Sequence, residues 1–134
     1  MRVVLDTNVL VSAFLSPQGK CAQILRLVLN RRATLIINAE IYQEYIGVLL
    51  RPKFSLDKGL LKTVLSYLYD LGLKQRVNFK PNHNFPDPED QLFYELALAG
   101  RADFLITGNR KHFPEKLCNQ VVVVSPEEFL RKIN

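Results

Sequence analysis

The chain has 134 residues, 48% of them hydrophobic and 23% charged, which is enough apolar content for a packed core and excludes a disordered polymer. Its formal charge of +5 points towards an anionic partner, nucleic acid first among them, although ordinary enzymes carry a similar excess. No apolar run approaches the ~20 residues of a membrane-spanning helix, and Asp6-Thr7-Asn8 interrupts the opening apolar run before it reaches the length of a secretory leader.

The elements follow in chain order. Residues 2–6 read as a short buried strand and Asn8 to Leu15 as a short helix, broken by Ser16-Pro17-Gln18-Gly19. Ile24, Leu25, Val28 and Leu29 recur at helical spacing within Lys20 to Arg31. Thr34 to Ile37 is a second strand, after which Asn38 caps a helix that ends near Leu50 at Arg51-Pro52. Leu56 to Leu71 places Leu61, Val64, Leu65, Leu68 and Leu71 on one face of a longer helix. A minor strand is expected around Val77, and a polar loop from Lys80 to Pro86. Pro88 to Gly100 reads as a helix, Phe104 to Thr107 and Val121 to Val124 as strands, and Pro126 to Ile133 as a last helix.

Strands thus alternate with helices, and the strands are continuous apolar runs without polar alternation. That pattern predicts an α/β protein with a mainly parallel sheet of four to five strands covered on both faces, a three-layer α/β/α sandwich. No repeat, low-complexity tract or long linker divides it, so residues 1–134 are expected to form one domain. Cys21 and Cys118 are far apart and form no CxxC pair, and so predict reduced thiols in a cytoplasmic protein.

In open α/β sheets ligands sit at the carboxyl ends of the strands, and the polar residues gather there. Asp6 ends the first strand, Glu44 lies in the helix after the second, Asp87 and Asp90 start the helix leading to the next, and Asn109 follows Thr107-Gly108. Capping offers a simpler reading for several of them. Asp, Thr and Asn all cap helices well, and Asp87-Pro88-Glu89-Asp90 is a good helix start. Asp90 is different, because Phe93 and Ala97 place it on the core-facing stripe. Capping also does not explain why the acids share one edge of the sheet. Converging carboxylates repel unless a cation is present, and an oxygen-only set favours Mg²⁺ or Mn²⁺ over Zn²⁺. His83 and His112 are not spaced as a zinc pair and read as loop histidines.

These residues resemble the PIN-domain family, including the VapC-type toxins of toxin–antitoxin modules. The resemblance spans nearly the whole chain and rests on Val3-Val4-Leu5-Asp6-Thr7-Asn8-Val9-Leu10, on Glu44, on Asp87-Pro88-Glu89-Asp90, and on Ala102-Asp103-Phe104-Leu105-Ile106-Thr107-Gly108-Asn109. It implies a metal-dependent endoribonuclease in which Asp6, Glu44 and Asp90 are catalytic and bind Mg²⁺ or Mn²⁺, with a cognate antitoxin and a homodimer as partners. The chain departs from the family at Asn109, where many members have an aspartate, and at His112, where some have another acid. The site then lacks a negative charge, which Asp87 is positioned to supply, while Asn109 can offer its carbonyl oxygen. Asn8 and Thr107 are candidates for orienting water or a phosphate oxygen, and Arg110 and Lys111 for contacting RNA. The same departure supports an alternative: a catalytically weak or inactive PIN-like module that binds RNA or a protein.

Overall fold

The computed structural model describes residues 1–134. Five strands form one sheet: β1 (Arg2–Leu5), β2 (Thr34–Ile37), β3 (Leu73–Lys74), β4 (Phe104–Ile106) and β5 (Val123–Val124), in the order β3-β2-β1-β4-β5. Every pairing is parallel. Six α-helices connect and flank them: α1 (Thr7–Leu15), α2 (Lys20–Leu29), α3 (Ala39–Leu49), α4 (Lys58–Leu71), α5 (Pro88–Ala99) and α6 (Pro126–Ile133).

Consecutive residues of a strand face opposite sides of its sheet. Val3, Val4 and Leu5 are all fully buried, as are Ile36 and Ile37 with Leu35 nearly so, and this requires helices on both faces. The α/β/α layering read from the apolar runs is what the structure shows. One cluster of 31 buried residues forms the core, into which Tyr45 and Phe93 bring large rings from α3 and α5.

The minor strand lies at Leu73–Lys74, not around Val77. The cause is Gly72, which ends α4 where a Cβ would stand 2.6 Å from Ile37 Cγ2. The chain therefore leaves α4 already against β2, pairing Leu73 with Ile36 and Lys74 with Ile37. The amide of Gln75 donates the last bond to Ile37 O at 3.0 Å, and the strand ends before it reaches Val77.

The strand order branches at its middle. From β1 the chain builds outwards through β2 to β3, and later returns to β4 on the other side of β1. The carboxyl ends of β1 and β4 are therefore the topological switch point, where a crevice opens in sheets of this kind. No helix is long and apolar enough to cross a membrane.

Candidate metal centre

Asp6 follows β1 directly, and its amide donates to Ile106 O of β4 at 2.9 Å, which pins it at the switch point. It occupies the N-cap position of α1, yet its side chain makes no capping bond. Oδ2 instead accepts from Thr107 Oγ1 at 2.8 Å, from Asn8 Nδ2 at 3.2 Å and from His112 Nδ1 at 3.2 Å. Asn8 is held in turn by Gly108, whose amide donates to Asn8 Oδ1 at 2.9 Å. The Thr107 hydroxyl and one N–H of the Asn8 amide, expected to orient water or phosphate, are thus engaged in orienting Asp6. Beneath them the buried Tyr45 hydroxyl donates to Leu5 O at 2.7 Å, one residue before the carboxylate.

Asp90 comes from the first turn of α5, and its side chain is 9% exposed. No hydrogen bond reaches its carboxylate; His112 Nδ1 stands 3.7 Å from Oδ1, beyond bonding distance. Burial pushes the Asp90 carboxyl up to about 6; the His112 ring opposes the shift, and the charges of Asp6, Asp87 and Glu89 add to it.

Ligand atoms of Asp6, Asp90 and His112 all lie within 4.8 Å of one another. Two buried carboxylates facing one another, one of them without a donor, fit a divalent cation, and the residues present can hold one. The cluster is not made of oxygen atoms alone, because a nitrogen of the His112 imidazole lies within it. Reading His112 as a loop histidine missed this. It lies three residues after Asn109, and the short 3-10 turn at Arg110–His112, which leaves no periodic signal in the sequence, folds the two onto one side.

The other expected residues lie around this cluster. Glu44, half-buried on α3, is outside it and faces Glu89. Burial pushes the Glu44 carboxyl up to about 7; the charge of Glu89 and a hydrogen bond with it add to the shift, as does Asp87, while Arg51 opposes it. Asp87 is exposed and caps α5, with Oδ1 accepting from the Glu89 amide at 2.9 Å, so its carboxylate acts on the site through charge alone. Asn109 is committed to its own turn: Oδ1 accepts from the Lys111 amide at 3.1 Å, and Nδ2 lies 3.2 Å from His112 Nε2. Arg110 is tied to α6 by bonds to Val123 O at 3.0 Å and Glu128 Oε2 at 2.9 Å, which leaves Lys111 as the exposed cation of that turn without such a tie. Asp103 accepts from the Arg2 amide at 2.8 Å at the far end of β1, a structural bond.

A parallel sheet with polar and acidic side chains gathered at its switch point places a ligand site where open α/β sheets carry theirs. The model of the PIN domain matches residues 2–111, and the chain belongs to the PIN-domain family. It is 30% identical over 113 residues to the uncharacterized protein MJ1680 of Methanocaldococcus jannaschii, covering 82% of this chain and 72% of that one. Its fold is similar to the crystal structure of VapBC2 from Rickettsia felis bound to a DNA fragment from their promoter. The TM-score is 0.60 at 20% identity, over 93% of this chain and 98% of that one.

Proposed function

We propose that this single-domain chain is a metal-dependent endoribonuclease, the toxin of a toxin–antitoxin pair. The observation that carries the reading is the buried Asp90 carboxylate, which faces Asp6 at the switch point with no donor bonded to it. Asp6 and Asp90 would hold Mg²⁺ or Mn²⁺. When bound, such an ion lowers the pKa of a water and polarises a phosphodiester. Asn8 and Thr107 keep Asp6 aimed at the crevice. Glu44, with its carboxyl at about 7, is suited to take or give a proton at neutral pH from the rim. Lys111 and the formal charge of +5 support an RNA substrate.

The membership of the family and the likeness to a VapBC complex support an antitoxin that covers the crevice, and a cytoplasmic place of action. For a homodimer, α4 offers more than α2. Leu60 and Tyr67, seven residues apart on α4, are 60% and 47% exposed, whereas α2 buries Ala22, Ile24, Leu25 and Val28 in the core.

The second reading, a module that binds RNA without cutting it, is favoured by one observation: the Asn109 side chain caps its own turn, so the crevice holds no third carboxylate beside Asp6 and Asp90. Incubating the purified protein with a mixed RNA pool in Mg²⁺, Mn²⁺ or EDTA separates the two. Cleavage with either ion that stops in EDTA and in Asp6→Asn is the expected result. Intact RNA in every condition, with RNA still bound, supports the module instead.

A further inference from the structure

His112 is unexplained by an acid-only site. Its Nδ1 stands 3.2 Å from Asp6 Oδ2 and 3.7 Å from Asp90 Oδ1. Two donors each about 2.1 Å from a common ion lie about 3.0 Å apart when adjacent and about 4.2 Å when opposite. Both separations fall in that range, and the unbonded, nine-tenths buried Asp90 carboxylate completes a set whose ligand atoms all lie within 4.8 Å of one another. We propose that His112 Nδ1 is a ligand of the ion held by Asp6 and Asp90, and that this nitrogen makes the site select Mn²⁺ over Mg²⁺. The inference rests on the reading of Asp6 and Asp90 as a metal site.

The selectivity follows from donor chemistry. Mg²⁺ takes oxygen donors and gives up its waters reluctantly, whereas Mn²⁺ gains more from an imidazole. The proton balance is local. Without an ion, Nδ1–H donates to Asp6 Oδ2, and Nε2 accepts from Asn109 Nδ2, whose orientation is set by the Lys111 amide on Oδ1. On ligation the proton moves from Nδ1 to Nε2, and the exposed Asn109 amide turns so that Oδ1 accepts it. The Lys111 amide, on an exposed turn, passes to water. Asn109 thereby becomes the outer partner that fixes the ring, the role a carboxylate or carbonyl plays behind most metal-bound histidines.

The test is electron spin-echo envelope modulation of the Mn²⁺-loaded, tag-free chain carrying His83→Gln, which leaves His112 as the one histidine. A directly bound ¹⁴N coupling is expected, lost in His112→Gln, with the Mn²⁺/Mg²⁺ affinity ratio from calorimetry falling about tenfold in that variant. The His112 side chain is 38% exposed, so the substitution is compatible with the fold, and the spectrum with His112 intact is informative without it. Mn²⁺ that binds in an Asp90-dependent way without a ¹⁴N coupling overturns the inference and leaves the metal site standing. Failure of any divalent ion to bind overturns both.

Discussion

Asp90 is a carboxylate on which burial and the charge of its neighbours both bear. Its carboxyl is raised to about 6 in the folded chain, against about 4 when unfolded. The folded state therefore binds the proton more tightly, and without an ion the chain loses stability as pH rises from about 4 through about 6. Glu44, raised to about 7, extends the loss to neutral pH. Melting in EDTA between pH 4.5 and 7.5 should show the wild-type melting temperature falling more steeply than that of Asp90→Asn, with Mn²⁺ restoring it at the upper end. Parallel profiles for the two proteins would remove Asp90 from the account. At this scale the sequence was half legible. Asp6 and Asp90 could be placed because strand ends and the Phe93–Ala97 stripe fix their direction. Glu44 could not, since a small rotation of α3 decides between the cluster and the rim. His112 was hidden because a 3-10 turn, which leaves no periodic signal, carries it there.

Among the elements, the α4–β3 junction depends most on one atom. An added methyl at Gly72 would meet Ile37 Cγ2 at 2.6 Å, with Leu35 O and Leu68 O both at 3.1 Å. The backbone there has φ −69°, so the conflict is one of space and not of conformation. Gly72→Ala should destabilise the chain by about 1–3 kcal/mol, as overpacking does elsewhere, read from urea unfolding; no change would mean that β3 can lift from β2 freely. The same junction shows why the longer elements were legible and β3 was not. β1, β2 and β4 are apolar runs bounded by polar residues, and α4 has an unbroken stripe. A two-residue strand has no pattern of its own, and Val77 carried the β-branched signal while Gly72 carried the geometry.

At the scale of the whole molecule, the site exists because the sheet branches. β1 and β4 are adjacent in space though about a hundred residues apart in sequence, and their ends bring together Asp6, Asn8, Thr107 and Gly108 in one hydrogen-bonded unit. α5, packed on β1 and β4, delivers Asp90 to the same crevice. Alternating strands and helices made this architecture readable, but the strand order that decides which ends meet is a property of packing that no local pattern records.

The proposed function requires that these two carboxylates, brought together by topology, hold a divalent ion needed for RNA cleavage. Its most direct test is single-turnover cleavage of one RNA substrate by wild type and by Asp90→Asn across a Mn²⁺ titration. A wild-type rate that saturates with Mn²⁺ and falls at least about a hundredfold in the variant, with RNA affinity little changed, is the predicted result. Equal rates in the two proteins, or a rate indifferent to Mn²⁺, would contradict it.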